Sequence, residues 1–317
     1  MSEQNNNWER GVLEKLAMSA VQEQRRARHW SIFFKALTFA YLFIVLFLIM
    51  GWMGGKAEST LGGKHTALVE LNGVISSSSA ASADNIISSL QDAFKDKKTQ
   101  GVILRINSPG GSPVQSGYIN DEIRRLRVKH PNIPLYVVVE DMCASGGYYV
   151  AAAADKIFVN KASMVGSIGV LMDGFGFTGT MEKLGVERRL MTAGENKGFM
   201  DPFSPVNPRH QVLVKQMLDE IHQQFIDVVK QGRGKRLQET PDTFSGLVWT
   251  GQKSIEMGLA DAMGSVDSVA RDVIKAENIV DYTTHEGIAD RLAKKFGAGV
   301  ASMMPGFSSQ TNGVNLR

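Results

Sequence analysis

The sequence predicts an α/β fold with a largely parallel sheet, preceded by one N-terminal transmembrane helix. Three observations predict it. Short β-rich runs alternate with amphipathic helical stretches from residue 66 to about residue 270, which is the pattern of βαβ units. Some runs, such as 134–139 (PLYVVV), are continuously apolar, as strands buried on both faces are. Residues 36–53 (ALTFAYLFIVLFLIMGWM) form an 18-residue stretch without a charge, and about 20 such residues cross a bilayer core.

In chain order, residues 1–29 come first and form a short segment on one side of the membrane, with Val12, Leu13, Leu16, Ala17 and Val21 at near-helical spacing. The anchor spans 30–53, bracketed by Trp30 and Trp52, where interfacial aromatics belong. Its apolar run exceeds a signal-peptide h-region and no A-x-A site comes after it, so an uncleaved signal anchor is expected. Arg25, Arg26, Arg28 and Lys35 precede the core of the span, and only Lys56 and Lys64 lie close behind it. The positive-inside rule then puts the N-terminus in the cytoplasm and the rest outside. Residues 54–65 are a Gly-rich linker.

A domain over 66–270 comes next. Strands are expected at 67–71, 74–75, 102–106, 134–139, 156–159 and 168–171. A helix capped by Asp84 should bury Ile86, Ile87, Leu90 and Phe94. A second, over 116–128, should turn Tyr118, Ile119, Ile123 and Leu126 inward. Residues 146–154 are small and helix-compatible, 208–231 make a long amphipathic helix, and Thr250 caps a helix that Gly258 stops. Residues 271–317 are a C-terminal extension, expected to be flexible at its Gly- and Ser-rich end.

Composition narrows the function classes. Across 317 residues, 35 Lys+Arg face 32 Asp+Glu, hydrophobic residues make 43% and charged residues 21%. These values exclude a disordered chain, a coiled coil and a collagen-like repeat. A net charge of +3 is too small for a nucleic-acid footprint. The single cysteine, Cys143, excludes an internal disulfide and a multi-cysteine metal site.

Two segments carry the chemistry. INSPGG (106–111) follows the strand VILRI, and DMCASGG (141–147) follows PLYVVV. Ligands of open α/β sheets bind beyond the carboxyl ends of strands. Ser145 stands on a strand-to-helix turn with Gly146 opening the helix, where N–H groups lack intrahelical partners. Gly110 and Gly111 are the obvious source of a second donor, because glycine lets the backbone approach a substrate closely. A serine nucleophile with a two-donor oxyanion hole suits acyl transfer; plain tight turns would use the same residues. The base is open at this point. The six histidines are His29, His65, His130, His210, His222 and His285, none in a Gly- or Ser-lined setting. A lysine serves if desolvation lowers its pKa from about 10.4. Cys143, two residues before Ser145, is a weaker nucleophile candidate.

INSPGG, followed by a strand and the turn MCASGGYYVA, resembles the signal peptide peptidase A family in its short, single-domain form. More distantly it resembles the proteolytic subunit of Clp protease and the crotonase-type fold. The resemblance covers about residues 67–264 and includes VWTG (248–251) and GLAD (258–261). It implies a Clp protease/crotonase-like fold and a Ser/Lys dyad. Ser145 matches the nucleophile. Lys197, in AGENK, matches the base, and Ser167, in VGSIG, matches the serine that hydrogen-bonds it. Clp-type subunits carry a histidine near VGSIG, which this sequence lacks. Lys161 and Lys183 are nearer Ser145 in sequence but match no motif.

The expected function is therefore a membrane-anchored serine endopeptidase. Gly111 and Gly146, with Gly110 second, would hold the oxyanion. The resemblance implies remnant signal peptides as substrates, a homo-oligomer, a bilayer partner, and neither cofactor nor metal. The expected location is a bacterial-type inner membrane, with the catalytic domain on the periplasmic side. An inactive membrane scaffold of the same fold is the alternative. An acyl-CoA enzyme of the crotonase type fits the extracytoplasmic placement poorly.

Overall fold

The computed structural model describes residues 2–53 and 63–284, so most of the expected linker and the end of the C-terminal extension lie outside the described residues. The chain divides into two compact units, residues 1–61 and 62–317. Among the described residues, the first holds one helix, α1 (Ser2–Met53). Its stretch Gln22–Phe47 is long and apolar enough to cross a membrane, with a mean hydropathy of 1.9. Phe39, Phe43 and Phe47 are each at least 70% exposed.

The second unit is organised by an eight-stranded sheet ordered β6-β5-β3-β2-β1-β8, with β4 pairing β3 and β7. The strands are β1 (His65–Asn72), β2 (Thr99–Ser108), β3 (Leu135–Ala144), β4 (Lys156–Val159), β5 (Met164–Gly166), β6 (Val248–Thr250), β7 (Ala262–Met263) and β8 (Ile279–Asp281). Every pairing is parallel except β5 with β6. Side chains alternate between two buried faces. Val69, Leu104 and Val137 lie in one core, and Leu68, Ile103, Val138 and Phe158 in a second beneath Val269 and Ala270. Burial on both sides accounts for the continuous apolar runs, and each such Val, Leu or Ile contributes roughly 1.5–3 kcal/mol.

Helices α2 (Ala83–Lys95), α3 (Pro113–Lys129), α4 (Gly146–Ala151), α5 (Thr178–Leu184), α6 (Pro208–Arg233) and α7 (Gly251–Glu256) accompany the sheet, together with a 3-10 turn (Gly234–Arg236), a short helix α8 (Val266–Ser268) and a π-helical turn (Val269–Ile274). Ser82, rather than Asp84, caps α2 by accepting the Asn85 N–H, and Asp84 falls in the first turn. In α3, Ser112 is the cap and Pro113 opens the helix. Ile119, Ile123 and Leu126 point inward as expected, but Tyr118 is 57% exposed. Thr250 caps α7, as its sequence indicates.

Three strand expectations are corrected. The 74–75 strand reduces to one bridge between Ile75 and Gly111. No strand forms over 168–171; the pairing segment is β5, just upstream. The sheet also runs past residue 270, because β8 pairs with β1.

The site is positioned by the way β3 pairs. Its lower part, Tyr136–Val138, pairs with β4, and its upper part, Met142–Ala144, with β5. Against β2 the register jumps from Ile106↔Val139 to Ser108↔Cys143. The extra residues on β3 form a bulge, which bends a strand and re-aims the residues beyond it.

Candidate active site

Ser145 sits where β3 ends and α4 begins, with φ 51 and ψ −123. A non-glycine residue at positive φ is strained and persists only where its surroundings hold it. Here the Ser145 N–H donates to the Gly166 carbonyl at 2.8 Å, and the Ser145 carbonyl accepts from Tyr149 N–H at 2.9 Å. One turn into α4, the fully buried Tyr148 donates its hydroxyl to the Leu259 carbonyl at 2.8 Å. Burial pushes the Tyr148 phenol pKa up, so it remains a donor. The serine side chain caps nothing and is left for other work.

The glycines close around it. A Cβ on Gly110 would lie 2.6 Å from Gly146 N and 2.8 Å from the Ser145 Cβ. A Cβ on Gly146 would lie 2.5 Å from Ser116 Oγ and 3.2 Å from Gly111 N. The loop carrying Gly111 is tied to Ile75: the Ile75 N–H donates to the Gly110 carbonyl and the Ser112 N–H to the Ile75 carbonyl, both at 2.8 Å. The N–H groups of Gly111 and Gly146 make no hydrogen bond among the described residues. The Gly110 N–H is already donated to Ser108 Oγ at 3.1 Å. Gly110 therefore supplies space for the approach, and Gly111 and Gly146 supply two unspent donors beside Ser145.

Ser167 follows β5, whose Gly166 pairs with Ala144. Neighbouring strands lie about 4.8 Å apart, so the two serines leave adjacent strand ends. Ser167 also has positive φ, at 52, and its N–H donates to the Leu247 carbonyl at 2.7 Å.

Among the described residues no hydrogen bond joins the Lys197 side chain to Ser145 or Ser167. Lys197 lies in a turn, its N–H donating to Gly194 O at 3.1 Å, and its side chain is exposed. The segment that carries it folds back on itself. Phe177 stacks on Phe203 with ring centres 5.4 Å apart, and Phe199 meets His210 at 4.9 Å. It also leaves Leu171, Phe175 and Met191 at least 80% exposed.

Cys143 is fully buried, and burial pushes its thiol pKa well up, which removes it as a nucleophile. Of the other histidines in this unit, His65 is buried beside Tyr282 and His130 packs on Phe94; His285 lies outside the described residues. A groove of about 920 Å³, lined by Arg105, Glu140, Asp141 and Lys161 among others, contains none of the residues named for the site. The sequence reading missed Ser108, Ser116 and Tyr148, which shape the turn. All three are buried, and their only local sign is their closeness to the two Gly-Gly pairs.

Known proteins similar to this chain give its family. The model of peptidase family S49 matches residues 127–280. A protein named as a protease in Methanocaldococcus jannaschii is 31% identical over 240 residues, which is 73% of this chain and 76% of that protein. The chain belongs to peptidase family S49. Among its S49 relatives, a protein of Enterococcus faecium bearing a signal peptide peptidase name is 29% identical over 237 residues, covering 72% of this chain and 68% of that one. This is the signal peptide peptidase A family that the INSPGG and ASGGYY motifs indicate. A Na⁺/H⁺ antiporter NhaA of Brucella abortus is 47% identical over 182 residues, 57% of this chain. The chain spans only 25% of that antiporter's length, so the antiporter name describes that protein and not the matched S49 segment here.

Proposed function

We propose that this chain is a membrane-anchored serine endopeptidase working through Ser145 and Lys197. The observation that carries the reading is the strained Ser145 turn, with two unspent N–H donors packed close by and a serine side chain that caps nothing. Deprotonated, the Lys197 amine takes the Ser145 Oγ proton as the oxygen attacks a peptide carbonyl. The Gly111 and Gly146 N–H groups hold the resulting oxyanion. The lysine returns the proton to the departing amine, leaving an acyl-enzyme. It then activates the water that hydrolyses that ester. Ser167 orients the amine.

Lys197 is exposed in the single chain, so the reading requires a homo-oligomer. The exposed apolar side chains around Lys197 favour burial against a second copy, which would desolvate the amine and favour its neutral form. Substrates are apolar peptides, remnant signal peptides among them, delivered by the bilayer that α1 occupies. The N-terminus faces the cytoplasm and the catalytic unit the periplasmic side of an inner membrane.

The test is cleavage of apolar fluorogenic peptides by the detergent-solubilised full chain. Ser145→Ala and Lys197→Ala should each lower kcat by at least about 10³-fold, and activity persisting in either refutes the dyad. The exposure of Lys197 favours one other reading, an inactive membrane scaffold. Absence of cleavage by an assembled wild-type chain would establish that instead.

A further inference from the structure

The inward stripe of α6 runs through Leu218, His222, Phe225 and Val229. A half-buried imidazole in an otherwise apolar stripe needs a polar partner. Its partner is the Ile168 carbonyl, 3.1 Å from His222 Nε2. A carbonyl only accepts, so Nε2–H donates and the ring's tautomer is set by this bond.

Ile168 directly follows Ser167, in a tightly bent turn. Ser167 has φ 52, and the Gly169 N–H donates to the Ser167 carbonyl, two residues back, at 2.9 Å. Such a backbone must be held from outside. The 247–249 segment holds it in two ways. The Leu247 carbonyl accepts from the Ser167 N–H, and Leu247 with the Trp249 ring fills the space where a Gly166 Cβ would stand. The Ile168 side chain is itself buried in the main core, and its carbonyl is held from α6, since no other hydrogen bond reaches it among the described residues.

We propose that His222 is a positioning residue: its imidazole pins the Ser167 turn and so keeps the Ser167 hydroxyl in place relative to Ser145. This rests on the reading of Ser145 and Ser167 given above. The ring bonds to backbone and to neither serine side chain, so it acts through the turn and not on substrate.

The test compares His222→Leu and His222→Gln in the detergent-solubilised full chain, measuring kcat, KM, melting temperature and hydrogen exchange over residues 164–171. His222→Leu should lower kcat about 10- to 100-fold, the effect of a misplacement of about 1 Å, while KM stays within about twofold. Exchange over 164–171 should quicken in that variant. His222→Gln, whose amide can donate to the same carbonyl, should restore both. Wild-type kcat and exchange in His222→Leu would overturn the proposal. So would a His222→Gln variant that lacks activity while exchanging as slowly as wild type, because the ring would then be carrying protons. If the wild type cleaves nothing, the peptidase reading fails, and the exchange comparison alone decides. Faster exchange confined to His222→Leu upholds the pin, and unchanged exchange removes it.

Discussion

Replacing Gly111 by alanine tests the oxyanion hole most directly. A Cβ there would lie 2.1 Å from the Ile75 carbonyl oxygen, against 3.4 Å for an ordinary contact, a shortfall of about 1.3 Å. The neighbour is backbone and is itself bonded to Ser112 N–H, so it cannot swing aside as a side chain would. Gly111 also has φ +148, which disfavours a side chain. The loop must therefore move by more than the tolerance of a hydrogen bond, and its N–H leaves the site. Losing one oxyanion donor costs about 10²–10³ in kcat, so kcat should fall by about that factor with KM little changed. Overpacking should cost about 1–3 kcal/mol of stability, or about 2–4 °C of Tm per kcal/mol in a domain of this size. The assay is peptide cleavage by a preparation whose Tm falls within that range. Gly117→Ala is the control: it lies in α3 with nothing within 4 Å of a Cβ. It should leave kcat unchanged and stabilise by about 0.4–1 kcal/mol. A folded Gly111→Ala enzyme with near wild-type kcat would show that the Gly111 N–H takes no part in catalysis.

Buried groups supply the other predictions. Cys143 should resist thiol reagents in the native chain and react only after unfolding, and Cys143→Ala should retain activity; rapid native labelling would contradict its burial. Arg233 is 1% exposed and ion-paired with Asp261 at 2.9 Å. Asp261→Ala strands that guanidinium and should cost about 3–5 kcal/mol, read from urea midpoints. Burial pushes the Asp261 pKa up, but Arg233, the Ile157 N–H and Arg236 together outweigh it and hold the carboxyl below its ordinary 3.8. The stabilisation it provides is thus complete above that value and lost as pH falls through the lower folded pKa. Asp261→Asn should flatten part of the acid limb of stability against pH, and an unaltered limb would place the acid sensitivity elsewhere.

Much of this fold was legible because burial leaves a mark on composition. β2 and β3 are covered on both faces, so VILRI and PLYVVV read as strands without ambiguity. The sequence singled out Asp84 as the cap of α2, and the structure gives that place to Ser82, two residues earlier, because its side chain reaches the Asn85 N–H. The β5 strand was missed because it has only three residues and ends in Gly166 at φ +115, where composition suggests a turn. The apolar run after it looked like a strand, yet Ile168 is fully buried while Leu171 is 80% exposed; the run passes from core to surface without pairing. Within the site, Ser145 and the glycines could be placed because strand ends and small residues coincide there. The link from His222 to Ile168 spans 54 positions and comes from helix packing that no local pattern encodes. Lys197 lies in an exposed turn, so no burial pattern marks it, and only the family motif singles it out.

The divided partnership of β3 has a thermal consequence. Its lower part belongs to the broad, doubly covered sheet, whereas Ser145 hangs from its upper part, braced by two ribbons of three residues each, and Ser167 hangs from the first of these, β5. So small a bracket opens at a lower free energy than the slab beneath it. Warming should therefore silence the enzyme reversibly, some degrees before calorimetry detects loss of the main body. Whatever stiffens that upper ledge would raise the inactivation temperature while leaving the calorimetric transition where it was.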